Sequence, residues 1–369
     1  MKALKMVMIL GSILTLFMAG CKEDNPDNTD GSEFDTNALL NNYSENIILP
    51  RYQELATQMN LLMGATNDFQ NDVSAANLAN LRTALLEAEL AFQPCTSFEF
   101  GPASTYTLRS ILNTYPTNES IINQNISSGG YNLYTAGNIA AIGFPAMEYL
   151  LYGTNLTDQE VLDLFAADAE AANRLTYLFD VVSQSQVVAG QVNTQWTSGG
   201  YHEVFVNANG TAVGSSVSLM MNSFVLDFER FIRDGKVGIP LGVRSLGTPN
   251  PEKVEAYYSE KSLALLAESM DAYKKCFNGV SSTEINGVGF DDYLIHEDAE
   301  AISHKINTQL DLIVAKQSIL NGPLSEDVLS NKPDVQAVYD EMQKLIVSLK
   351  VEMPSALAVL ITYQDSDGD

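Results

Sequence analysis

Ile48, Tyr52, Leu55, Met59 and Leu62 recur at steps of three and four, a spacing that puts five apolar side chains on one face of a helix. Pro50 fits that helix's first turn. Ser74 can cap a second helix, whose stripe runs Leu78, Leu81, Leu85, Ala88, Phe92 and which Pro94 ends. Residues 94–136 hold Pro, Gly, Ser and Asn in quantity and read as long loops with short helices. The capping pattern Thr157-Asp158-Gln159-Glu160 opens another helix, and 168–195 continues in helical register through Leu175, Leu178 and Val182. Ser215 precedes a further helix carrying Val217, Met220, Met221 and Phe224. The pattern then changes at DGKVGIPLGVRSLGTPNPEK, residues 234–253, where four glycines and three prolines mark a domain junction. Three more helices are expected around 255–278, 289–320 and 333–351, and a short one from Pro354. No stretch alternates apolar and polar residues for long enough to suggest a sheet. The expected class is all-α, with two helical bundles at 37–235 and 236–369.

The start of the chain follows other rules. In MKALKMVMILGSILTLFMAGC, Lys2 and Lys5 precede an apolar run, Met6 to Met18, too short for a stable membrane span, so residues 1–20 read as a bacterial signal peptide. The ending Ala19-Gly20-Cys21 resembles a lipobox, which implies cleavage before Cys21 and lipidation of its thiol. Acyl chains would then hold the protein on a membrane without a further spanning helix. Residues 21–36, polar and acidic, form a tether that cannot bury enough surface to order itself. Its Lys22-Glu23-Asp24 resembles the signal that sends lipoproteins of Bacteroidetes-type bacteria to the cell surface. The expected place is therefore the outer membrane of the cell envelope, either surface-exposed or on the periplasmic face.

Of the remaining 348 or so residues, enough are apolar for two cores, 46% over the whole chain. A formal net charge of −26 argues against nucleic acid, which is bound through clustered lysine and arginine, and makes cations the more natural small partners. Surface solvation explains the acidity equally well. With Cys21 lipidated, Cys95 and Cys276 remain, either bridged or as two buried thiols.

Several segments together carry a family resemblance: NIILPRYQELA near the start, FEFGPA at 98–103, LNTYPTNESI at 112–121, GFPAMEYLLYG at 143–153, KVGIPLGVRSLGTPNPEKVEAYYSEKSL at 236–263, and the terminal DSDGD. In order and spacing the chain resembles the imelysin family. That resemblance implies a two-domain all-α fold with a functional cleft at the domain interface, and a GxHxxE motif on a helix. It also implies a role in iron or other metal uptake, although the family is named for peptidase activity. A histidine and a glutamate one turn apart can converge on one cation. Here Gly143 and Glu148 match the motif, but Pro145 stands at the histidine position and offers no lone pair. Glu148 is left as the candidate metal ligand, for iron or another divalent metal, or else as a buried and hydrogen-bonded structural acid. Arg244 is a second cleft candidate, able to pair with Glu148, or else a surface arginine.

The histidines number three, and none opens an H-E-x-x-H sequence. His296, Glu300 and His304 are spaced by fours on a helix whose apolar face is Ile295, Ala299, Ile302, Ile306, Leu310 and Ile313, so they should face solvent. Asp365, Asp367 and Asp369 imitate the opening of a calcium loop but lack its closing glutamate. The expectation is a lipid-anchored imelysin-like binding protein with a metal, small-molecule or peptide ligand. Its alternatives are a divergent peptidase and a surface interaction module without metal chemistry.

Overall fold

In a computed structural model of the chain, residues 33–363 are described, and a compact helical unit begins at Asp35. The export signal, Cys21 and the three aspartates of the terminal DSDGD lie outside the described residues. Within them every named element is helical, of α, 3-10 or π type, and one isolated antiparallel bridge joins Val280 to Asn286.

The helical class follows from stripes and caps that act locally. Helix α1 (Leu49–Asn71) buries Tyr52, Leu55, Met59 and Leu62 as its spacing predicts. It lies between α2 (Ala75–Phe92) and α4 (Ala171–Thr197), with α3 (Gly143–Tyr152) packed against both α2 and α4. Ser74 caps α2 by accepting from the Asn77 N–H at 3.4 Å. Thr157 and Glu160 form the expected capping box over Asp158–Ala166. Ser215 caps α5 (Ser216–Leu226). The later helices are α6 (Ser262–Phe277), α7 (Glu300–Gln317) and α8 (Lys332–Val347). α6 touches α2 as well as α7, and α8 packs on both α7 and the segment that follows α5.

Prolines read as helix boundaries are instead passed by π-helical turns. Asn42–Ile48, Asp227–Gly238 and Ser348–Glu352 are π segments, and each ends two residues before a proline, at Pro50, Pro240 and Pro354. In each case the residue just before the proline donates its N–H five residues back: Leu49 to Ser44, Ile239 to Asp234, Met353 to Ser348. A proline inside an α-helix lacks a donor and its ring meets the carbonyl four residues earlier, so widening the turn lets the helix continue. The first helical run therefore starts at Thr36, ahead of the expected Ile48. The helix of α5 also runs through position 235/236 to Leu241. Gly238 serves this passage: a Cβ there would stand 2.8 Å from the Tyr339 ring.

One expected helix is divided. The span 289–320 forms Phe290–His296 and then α7, separated by Asp298 in a left-handed conformation at φ 57°. Ile295 is consequently exposed, and the inner face of α7 is Ile306, Leu310 and Ile313. His296 stands on the first piece, whereas Glu300 and His304 form an exposed pair at 3.2 Å on the second. Cys95 and Cys276 are both free and buried, and burial pushes each thiol up to about 12.

Candidate functional site

Helix α3 is the motif segment, and its first six residues, Gly143 to Glu148, are all buried. Gly143 has φ 72°, and a Cβ there would run into the carbonyl oxygens of Ile111 and Leu112, so only glycine fits this start. Pro145 follows in the first turn, where a missing N–H costs nothing. Three residues on, Glu148 is 1% exposed. Its Oε1 accepts the hydroxyl of Ser259, which lies in the connection leading to α6. That connection holds Ala256 and Glu260 at φ 51° and 60°, a costly backbone for side chains other than glycine.

Glu148 belongs to a larger buried group. Glu89 enters from α2, Glu255 from the same connection as Ser259, and Lys236 from the π segment after α5; all four are at most 6% exposed. The Lys236 ammonium is bound to Glu255 Oε2 and donates to Gln93 Oε1 at 2.7 Å. Gln93 Nε2 and Asn113 Nδ2 donate to Glu255 Oε1 at 3.3 and 2.6 Å, and the Ser269 hydroxyl donates to Gln93 Oε1 at 2.9 Å. One carboxyl, Glu255, thus holds the ammonium directly, with Glu89 and Glu148 buried in the same group. Burial, with Glu255 nearby and Ser259 opposing, pushes Glu148 up to about 8. Glu89 is raised well above the ordinary range, first by burial, then by Glu148 and Glu255, against the pull of Lys236. Both shifts favour the protonated acid, the direction in which buried carboxyls relieve the cost of lost water.

This donor set does not fit a resident metal. Glu255 is already neutralised by the Lys236 ammonium, Pro145 supplies no nitrogen, and Glu148 is buried beneath Ser259 with its acid form favoured. Among the described residues no three His, Cys, Asp or Glu side chains stand in metal-holding geometry.

Arg244 and Glu148 take different partners. Arg244 donates to Asp234 Oδ2 at 3.1 and 2.5 Å, with its side chain 40% exposed, and Asp234 also accepts from Arg233 at 3.1 Å. Arg244 is partly exposed and Asp234 keeps Arg233 without it, so Arg244→Ala is expected to lower stability by less than about 1 kcal/mol in a urea titration. A second network adjoins the group. Asp227 accepts from Arg109 at 2.8 Å and from Thr96 and Ser97, both at 2.9 Å, while the Arg109 guanidinium lies 3.7 Å from the centre of the Phe231 ring.

Sequence reasoning singled out Glu148 and missed Glu89, Gln93, Lys236, Glu255 and Ser259. One signal was available. Glu89 sits between Leu85 and Phe92 on the stripe of α2, an acid on an apolar face.

An all-α protein with a buried acid and lysine cluster beside a glycine-started motif helix is the class these features define. The imelysin family model matches residues 48–352, and the chain belongs to that family. Over 330 residues it is 21% identical to iron-regulated protein A of Synechococcus elongatus, covering 85% of this chain and 86% of that protein. Two solved structures share the fold. One is from Parabacteroides distasonis, assigned as an iron-regulated protein A precursor, with TM-score 0.72 and 17% identity over 89% of this chain and 97% of that one. The other is an imelysin-like protein from Psychrobacter arcticum, with TM-score 0.69 and 16% identity over the same shares.

Proposed function

We propose that this protein is a lipid-anchored component of the cell envelope that takes part in iron or other metal acquisition, and that it binds its cargo and does not cleave peptides. The iron association is supported by the relatives, two of which carry the name iron-regulated protein A. Binding over cleavage is supported by one observation above the rest. The motif acid Glu148 is sealed under Ser259 beside a proline, so the motif helix presents no exposed imidazole and carboxylate pair to activate water. Anchoring is supported by the lipobox-like start and Cys21. No helix among the described residues is long and apolar enough to cross a membrane.

The test is growth of the host with an iron chelator. Abundance of the protein is expected to rise against iron-replete cells, and deletion of its gene to slow growth only under restriction. Unchanged abundance together with unchanged growth would remove the iron reading.

A further inference from the structure

The region beside the buried acids contains a cavity of opposite electrostatic character. Its volume is about 490 Å³, within the range that holds small organic ligands. It is bordered by Arg109, Arg230 and Lys253, walled by Tyr115, Phe231 and Ile239, and has no aspartate or glutamate in its lining. In a chain with 46 acidic and 20 basic residues, three cations line this one cavity, Arg109 with Asp227 behind it.

The three cations are presented differently. Arg109 is held flat against Phe231 while Asp227 and the Thr96 carbonyl fix its terminal nitrogen, and its buried Nε has no acceptor. Lys253 makes no ion pair with any described residue; its ammonium is an unspent charge at the rim. Arg230 adds a second guanidinium, a group whose planar fork matches a carboxylate. Phe231, Ile239 and Tyr115 favour a ligand with an apolar or planar portion between its charges. A second cavity, of about 410 Å³, shares Arg109, Ser110 and Phe231 but also has Glu99 and Asp227 in its lining, so the anion-selective side is the first.

We propose that this cavity is a binding site for a small organic polycarboxylate, free or wrapped around a metal ion. Glu255 of the buried acids is already neutralised by Lys236, whereas this cavity offers positive charge to an anion. A metal arriving as an anionic chelate would satisfy both facts. The anion site itself does not depend on the iron reading.

The experiment is isothermal titration of the full chain, purified in detergent, with citrate, with preformed ferric citrate and with inorganic phosphate. Saturable binding of citrate, ferric citrate or both is expected, weakened about tenfold or more by Lys253→Glu and by Ser110→Asp, which place a negative charge at the cavity without touching a described ion pair. Both variants should melt as the parent does. Binding of metal-free citrate supports the site whatever becomes of the iron reading; binding of ferric citrate alone supports the site and assigns the chelate as its ligand. No saturable carboxylate binding, parental affinity in both variants, or phosphate binding as tightly as citrate would each overturn the proposal.

Discussion

Replacing Lys236 by methionine is expected to lower the stability of the fold by about 3–5 kcal/mol, the cost of leaving a buried carboxylate without its counter-charge. The Lys236 and Glu255 side chains are 7% and 3% exposed, so water cannot take over from the ammonium. Asn113 and Gln93 would still donate to Glu255, and they set the lower end of that range. The pair can be separated from the volume change by a double variant. Lys236→Met combined with Glu255→Gln removes both charges while keeping the shape of the acid, and should recover a large part of the loss, because a well-packed neutral pair is often as stable as the ions it replaces. Urea denaturation of the two single variants and the double variant gives the coupling directly. A Lys236→Met protein within about 1 kcal/mol of the parent would mean that Glu255 does not need its ammonium, and the account of a lysine that neutralises this acid fails with it.

How much of this could be read beforehand depends on the range of the interactions. The capping at Ser74, Thr157 and Ser215 involves residues three apart, and all three helices begin where those signals put them. The apolar stripes of α1 and α2 are equally local. Pro50, Pro240 and Pro354 misled because a proline signals only that an α turn cannot continue unchanged; whether the chain breaks or widens into a π turn is decided by packing on both sides. At Gly238 the decision involves Tyr339, about a hundred residues away. Asp298 divides 289–320 although its neighbours keep a helical spacing, since one left-handed residue interrupts a helix without disturbing the apolar pattern around it.

The site was legible at one residue of its cluster. Glu148 could be found because the family resemblance falls on it. Its chemistry could not, because the charge state of a buried acid is set by what surrounds it, and the surroundings come from positions 89, 236, 255 and 259. Lys236, Glu255 and Ser259 all lie inside the segment 236–263 that carries the resemblance, yet nothing local distinguishes them from the exposed Glu252 or the half-buried Lys253, which stay outside the cluster. The missing imidazole is one feature that bears on metal binding here, and the surroundings of Glu148 add a second. A lysine brought in by the π segment already neutralises Glu255, one of the three acids.

Stability is expected to fall as pH rises from about 5 to 8, and Glu148→Gln is expected to remove a distinct part of that fall. The sign follows from the proton. Glu148 titrates near its ordinary 4.5 when the chain is unfolded and at about 8 in the fold. Between those values the native state keeps a proton that the unfolded state has released, so each step up in pH favours unfolding; above about 8 both states are ionised and the dependence levels off. One such proton gives a slope of up to about 1.4 kcal/mol per pH unit, and a total on the order of a few kcal/mol. Glu89 acts in the same direction through its own burial, as does Asp291, raised to about 6, so the parent slope has several contributors and the difference between parent and variant is the informative quantity. Glutamine keeps the size of the acid and can still accept the Ser259 hydroxyl, but it has no charge to expose. Chemical denaturation at pH 5, 6.5, 8 and 9 should therefore show the variant close to the parent at the acid end and more stable than it at the alkaline end. Parallel curves for the two proteins would mean that Glu148 is ionised in the fold, and its carboxylate would then be open to a metal after all.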